Sequence, residues 1–323
     1  MRATAQAQPN IALVKYWGKR DVARNLPATG SISITLDSLW TKMCVEFRNG
    51  HGTDELRVNG VSDTQMLPRV SRCLDLVAGS RRPAAAVASE CNFPIAAGLA
   101  SSASAFAALV VAANEAAGLA ADTAALSRMA GATSGSAARS LYGGFVELIA
   151  GDAQIDVTTV ASPEDWPLEV IVAVTRREAK AVSSGEAMTS SAETSPFYAA
   201  WLERQPADID AARSAILQRD FAALAAVAEH NCLKMHSVMW GSRPPIVYWN
   251  KATLACMEAI RRLQAEGVPV FFTIDAGPQL KAVCMPEAGD SVASALRATD
   301  GVTEIMRSSL GGGARLLAER CTT

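Results

Sequence analysis

The sequence predicts a two-domain protein of mixed helices and strands, on three observations. The chain has 323 residues, about twice a common domain size. Half of its residues are hydrophobic and 19% are charged, which supports a large core and excludes disorder over most of its length. Segments of strand character and segments of helical period follow one another along the chain.

Residues 10 to 50 read as strands joined by polar turns, because NIALVKYW and SISITL are rich in β-branched and aromatic residues. Residues 65 to 80 carry an apolar helical pattern, and 85 to 93 read as a strand. A Gly/Ser turn from Pro94 then opens an alanine-rich helix ending near Gly118. Residues 122 to 142 predict two helices interrupted between Gly131 and Gly135. An edge strand precedes ASPEDWPL, and the domain boundary is placed there, at about residue 165. EVIVAVT opens a new strand at 169 to 175. Helices are expected over Asp208 to Met235 and over Thr253 to Glu266, the latter closed by Gly267. Residues 268 to 274 and 281 to 285 predict a strand pair around a turn.

Thirty basic against thirty-two acidic residues argue against a generic nucleic-acid binder but leave room for a local anion pocket. The seven cysteines are odd in number, scattered and without a CxxC, so neither a disulfide framework nor a zinc site is expected, in keeping with a reducing compartment. Three histidines leave little for a histidine-based metal site. MRATAQAQPN has no apolar h-region, so no signal peptide is expected. The stretch from Ile95 to Ala113 has the length of a membrane span, but it is mostly alanine and holds Ser101, Ser102 and Ser104. It reads as a buried helix of a cytoplasmic protein with no membrane partner.

Four segments have the residue types for chemistry. In PIAAGLASSAS (94 to 104), Gly98 permits a tight turn, and the helix start that follows offers free N–H groups to an anion. It is not a Walker A loop, and a serine-capped buried helix is the alternative. VKYWGKR (14 to 20) gathers two of the chain's seven lysines, Lys15 and Lys19, beside Arg20, or else forms a solvated edge strand. In SGSAARS (134 to 140), Ser136 and Arg139 share one helical face and suit a carboxylate or phosphate; a cap at Ser134 with a surface arginine is the alternative. In FFTIDAGP (271 to 278), Asp275 follows an apolar strand, where it would reach into a cleft or organise the turn.

Together these segments resemble the diphosphomevalonate decarboxylase family of the GHMP kinase superfamily. The matching stretches are NIALVKYWGKRD, ECNFPIAAGLASSASAFAAL, SGSAARSLYGGF, KAVSSGEAMTSSAETSPFY and FFTIDAGP, in the family's order, with SSLGGGARLL a weaker echo. The resemblance implies an α+β fold, a two-domain GHMP-kinase-like α/β sandwich. Its N-terminal half (1–165) would be ribosomal protein S5 domain 2-like and hold the ATP phosphate loop and substrate pocket. Its C-terminal half (166–323) would be ferredoxin-like and hold the catalytic aspartate.

The implied reaction is ATP- and magnesium-dependent decarboxylation of (R)-5-diphosphomevalonate to isopentenyl diphosphate, with ADP, phosphate and CO2 released. Residue by residue, Asp275 matches the catalytic aspartate at the 3-hydroxyl and Lys15 a lysine that neutralises charge there. Arg139 matches the holder of the C1 carboxylate, with Ser134 and Ser136 in the same pocket. Tyr16, Lys19, Ser183 and Ser184 match contacts of the diphosphate. Gly98, Leu99, Ala100, Ser101, Ser102 and Ser104 match the ATP loop, with Ser102 the magnesium or γ-phosphate contact. Family members are often homodimers. One position departs: Gly185 stands where the family usually has Arg or Thr, and Glu186 adds a negative charge where the diphosphate would approach. The alternatives are therefore 5-phosphomevalonate as substrate, or a GHMP kinase that stops before decarboxylation.

Overall fold

β-Branched and aliphatic segments in the first half of the chain form eleven strands among the described residues, interleaved with three helices and a 3-10 turn. The computed structural model describes residues 1–48, 52–94, 100–178 and 180–318. The first half runs β1 (Arg2–Ala7), β2 (Asn10–Val14), β3 (Lys19–Asp21), β4 (Leu26–Pro27), β5 (Ser31–Thr35), β6 (Thr41–Arg48), β7 (Glu55–Val58), β8 (Val61–Ser62) and α1 (Leu67–Ala78). It continues through β9 (Ala84–Cys91), α2 (Ser101–Ala116), α3 (Thr123–Thr133), a 3-10 helix (Gly135–Leu141), β10 (Phe145–Ala150) and β11 (Ile155–Ala161). The second half runs β12 (Glu169–Val174), α4 (Ser184–Thr194), α5 (Tyr198–Gln218), α6 (Phe221–Trp240), α7 (Lys251–Ala265), β13 (Val270–Ile274), β14 (Leu280–Cys284), α8 (Gly289–Arg297), β15 (Glu304–Ser309) and β16 (Arg315–Leu317).

Three larger sheets result, in the orders β16-β1-β6-β9-β7-β8, β11-β10-β5-β2 and β13-β14-β12-β15. The last strand, β16, returns to pair with β1. Helix α1 buries Val70, Cys73, Leu74 and Val77, the i, i+3, i+4, i+7 stripe of an amphipathic helix. Helix α2 is apolar on almost every side and packs on β1 and β6, so small alanines let it approach the sheet closely. Among the described residues no helix is long and apolar enough to cross a membrane.

The two four-stranded sheets share one core. Ile11, Ile34 and Phe145 of one sheet pack with Val170, Phe271 and Val283 of the other, together with Ile209 and Leu224 of α5 and α6. Truncating Phe145 or Phe271 to alanine costs about 3–5 kcal/mol. This seam brings residues from the two halves of the chain together.

Three expectations change. The single helix expected over Asp208 to Met235 is a pair, α5 and α6. The chain breaks at Arg219, which takes a left-handed φ of 55°, and Asp220 restarts it by accepting from the Ala223 N–H at 3.0 Å. The second helix expected within 122 to 142 is a 3-10 turn. Cys44 is disulfide-bonded, against the expectation of no disulfide, while Cys73, Cys91, Cys232, Cys256 and Cys284 are free thiols.

Candidate active site

Asp275 is the first residue beyond β13. The tight turn that follows, with Gly277 N donating to Asp275 O at 2.7 Å, leads into β14. Lys15 is the first residue beyond β2 and only 1% exposed. Its Nζ donates to Asp275 Oδ1 at 2.7 Å and to Ala12 O at 2.8 Å. Its backbone is held from the second half of the chain: the N–H donates to Asn231 Oδ1 at 2.7 Å and the carbonyl accepts from Gln205 Nε2 at 2.8 Å. Lys281 Nζ lies 3.2 Å from Asp275 Oδ2. Burial pushes the Asp275 carboxyl up, but Lys15 and Lys281 outweigh it and hold the group well below the usual carboxylate range.

Arg139 lies in the 3-10 helix, whose three residues per turn align it with Ser136. It is fully buried, and its hydrogen bonds go to neutral groups. Nε donates to Ser33 Oγ at 2.9 Å, Nη2 to Asn10 Oδ1 at 3.0 Å, and Nη1 to Ser31 Oγ. Asn10 in turn donates to Ser136 O and Ser140 Oγ, so it fixes both the guanidinium and the turn that carries it. Burial pushes the Arg139 guanidinium down to about 10, with Tyr16 and Asp275 acting to raise it. The surface-arginine reading is thereby excluded.

Tyr16 turns its hydroxyl against Gly135, so a Cβ there would push the phenol out of its place. Burial pushes the Tyr16 phenol up to about 12. Gly18, at φ 102°, likewise leaves no room for a Cβ beside the Tyr198 hydroxyl. Burial and then Arg69 lower Lys19.

Helix α2 starts at Ala100, whose φ is 55° and which has no capping side chain. The serine-cap reading therefore fails, and the first turn of α2, with Ala100, Ser101 and Ser102, lines the cleft without a capping side chain among the described residues. Ser102 Oγ accepts from Ser134 Oγ at 3.3 Å. Ser104 is a correction: it is fully buried, shares a 2.7 Å hydrogen bond with Thr41 Oγ1 and does not reach the cleft. Gly98 and Leu99 lie outside the described residues.

Ser183 caps α4 in a reciprocal box. Its Oγ accepts from Glu186 N at 3.3 Å, and the Glu186 carboxylate accepts from Ser183 N at 2.9 Å. The Glu186 carboxylate thus also serves the cap of α4, while its negative charge stays at the mouth of the cleft beside Ser183. Lys180 Nζ donates to Ser184 Oγ at 2.5 Å and Ala276 O at 2.9 Å, and burial pushes it down to about 8.

One cleft of about 1330 Å³ brings these groups together. Lys15, Tyr16, Lys19, Ser134, Ser136 and Arg139 line it, as do Ala100, Ser101, Ser102, Ser183, Ser184 and Asp275. Sequence reasoning missed four of its cations or their neighbours: Lys180, Arg69 and Arg72 in the cleft wall, and Lys281 behind Asp275. The signal for the lysines was their scarcity, and for the arginines their i, i+3 spacing on the polar face of α1. Among the described residues no three His, Cys, Asp or Glu side chains cluster as a metal site.

A cation-rich cleft with the Lys15-bonded Asp275 carboxylate in its wall, on this α+β frame, defines an enzyme for a small polyanionic substrate. Residues 7–161 match the diphosphomevalonate decarboxylase-like N-terminal domain, and residues 170–312 match the mevalonate 5-diphosphate decarboxylase C-terminal domain. The diphosphomevalonate decarboxylase of Candida albicans is 33% identical over 85% of this chain and 82% of that protein. The human diphosphomevalonate decarboxylase is 35% identical over 85% and 74%. The crystal structure of mevalonate diphosphate decarboxylase from Staphylococcus aureus superposes with a TM-score of 0.92 at 35% identity, covering 98% of each chain. The structure of MDDEF in complex with MVAPP, AMPPCP and magnesium superposes at 0.91, with 34% identity over 98% and 99%. The chain belongs to the diphosphomevalonate decarboxylase family.

Proposed function

We propose that this protein catalyses the ATP-dependent decarboxylation of (R)-5-diphosphomevalonate to isopentenyl diphosphate, releasing ADP, phosphate and CO2. The observation that carries the reading is Asp275 bonded to Lys15 in the same cleft as Arg139, a buried guanidinium bonded only to neutral groups.

The roles follow from charge and position. Arg139, with Ser134 and Ser136, holds the C1 carboxylate. Tyr16, Lys19, Ser183 and Ser184 receive the diphosphate. Asp275 accepts a hydrogen bond from the 3-hydroxyl and aims its oxygen at the γ-phosphorus. A carboxylate held so acidic is a poor proton store, so alignment is its contribution, which suits a loose phosphoryl transfer. Lys15 offsets the charge that gathers as the phosphoryl group arrives. The C3–O bond then breaks with the phosphate, the C1–C2 bond breaks, and its electron pair becomes the new double bond while CO2 leaves.

The N-terminus of α2, with Ser101 and Ser102, receives the ATP phosphates. Magnesium would arrive with the nucleotide, and Ser102 Oγ, a hydroxyl at the start of α2 in the cleft wall, would be the side chain that holds it alongside the phosphates. When bound, it neutralises phosphate charge. In this proposal the chain divides at about residue 165, with 1–165 holding the nucleotide and substrate pockets and 166–323 supplying Asp275. The enzyme works in the cytoplasm as a homodimer, which light scattering tests.

The test measures ADP and CO2 release together on (R)-5-diphosphomevalonate and 5-phosphomevalonate. Equal release of both, with the diphosphate preferred, is expected. ADP without CO2 would make the protein a kinase, and preference for the monophosphate would reassign the substrate. Asp275→Asn is expected to fold and bind ATP while kcat drops at least about 10²-fold. Near-normal turnover would remove Asp275 from the mechanism.

A further inference from the structure

Asp275 is held from two sides, and only one of them faces the cleft. Strands β13 and β14 pair antiparallel with Phe271 opposite Val283 and Thr273 opposite Lys281. Side chains alternate along a strand, so Phe271, Thr273, Lys281 and Val283 share one face. Asp275, two residues past Thr273, continues that row and lies diagonally across from Lys281. The face points to β2, since Thr273 Oγ1 donates to Ala12 O at 3.3 Å, the same carbonyl that accepts from Lys15 Nζ. The other face of this pair, with Phe272, Ile274, Leu280 and Ala282, belongs to a separate apolar core. Lys15 lines the cleft in front of Asp275, whereas Lys281 is 0% exposed and absent from the cleft wall.

A lysine carried into the middle of an apolar strand and fully buried is costly unless its charge is used. We propose that Lys281 is a positioning residue for the decarboxylation: from behind the cleft it holds Asp275 Oδ2 while Lys15 holds Oδ1, so the carboxylate keeps one orientation and one charge state toward the substrate hydroxyl. This rests on the function proposed above. Without Lys281 the carboxylate is free to turn both oxygens onto Lys15, away from the hydroxyl.

The groups facing Asp275 from the other packed elements are Lys15 after β2, Arg139 in the 3-10 helix, Lys180 before α4, and Cys232 and His236 of α6. Burial keeps the last two neutral, raising the Cys232 thiol and lowering His236 to about 3. Every charge near Asp275 is therefore positive. Removing one of the two in contact raises the carboxyl toward its ordinary range, so the ionised form is lost at a higher pH.

The experiment follows kcat for CO2 release against pH in the wild type and in Lys281→Met. Alongside it, the Asp275 carboxyl is titrated by carbon NMR on the free protein, with Asp275→Asn assigning the resonance. Lys281→Met is expected to lower kcat about ten- to a hundredfold, leave the KM for ATP within about twofold, and move both the carboxyl titration and the acid limb of kcat upward by about one pH unit or more. A folded variant with both titrations unmoved overturns the proposal. The double variant Lys281→Met/Asp275→Asn decides even if the single variant does not fold. Turnover equal to Asp275→Asn alone supports action through Asp275, and a further drop of similar size overturns it. A wild type that releases no CO2 would remove the functional reading and leave the carboxyl titration to decide on Lys281.

Discussion

Arg82 and Arg139 are both buried guanidiniums in opposite electrostatic surroundings. Arg82 donates to both oxygens of Asp54 at 2.8 and 2.6 Å and lies 2.9 Å from Asp75, and the Asp54 hydrogen bond raises its pKa further. Arg139 bonds Asn10, Ser31 and Ser33, and burial lowers it. The first arginine finds its counter-charge within the chain and ties the strand at Ala85 to α1. The second has neutral acceptors and a cleft in front of it. A buried cation that the fold leaves without a carboxylate contact is a receptor for an anion from outside.

The strongest attempt to break that contrast is Arg139→Lys, which keeps the charge and loses the planar fork. Its kcat/KM for the carboxylate substrate is expected to fall at least about 10²-fold, with the KM for ATP within about threefold. If steady-state kinetics show neither constant changed, Arg139 is structural, as Arg82 is. Arg82→Met is the converse. It strands Asp54 and Asp75 and is expected to cost about 1–3 kcal/mol in urea unfolding while kcat/KM stays the same; a loss of activity in a folded variant would erase the distinction.

Acid sharpens the contrast further. Burial raises the Asp54 carboxyl, but hydrogen bonds from Arg82, Ser71 and Ala85 outweigh it and hold the group at about 2, against 3.8 when free. A depressed carboxyl stabilises the fold above its unfolded pKa, so this contribution is complete above about pH 4 and fades as pH falls toward about 2. Stability of the wild type should decline over that window more steeply than that of Asp54→Asn.

The smallest effect is expected at Gly185. A Cβ there would meet only Ser183 Oγ, at 3.9 Å, so the position is open to a side chain. Gly185→Arg adds a cation beside Ser184 and should shift the kcat/KM ratio toward the diphosphate over the monophosphate by up to about tenfold. An unchanged ratio would mean that position 185 does not face the phosphate tail.

What the sequence made legible was local. Lys15, Arg139 and Asp275 each sit in a short segment whose neighbours dictate the backbone: the end of β2, a glycine-led turn, and an apolar strand running into Gly-Pro. Lys281 and Asn10 were not singled out because their roles depend on tertiary geometry: the β13–β14 register sets Lys281 across from Asp275, and the 3-10 turn brings Arg139 to Asn10 from 129 residues away. The capping role of the glutamate at 186 was not singled out either, although its partner is only three residues away. Helical period ran unbroken across Arg219 and Asp220, and only the left-handed backbone there separates α5 from α6.

The way Lys15 is gripped has a consequence for how the protein can be watched. Its ammonium answers to Asp275, and its backbone to Gln205 and Asn231, while Trp201 Nε1 donates to Trp17 O at 3.0 Å. All four partners come from the second half of the chain. Lys15 is thus in register only after the halves have docked, and under the proposed function turnover becomes a proofreading signal for tertiary assembly. A partly assembled molecule can have all its helices and strands and still be silent, so regain of activity during refolding times the closing of the seam.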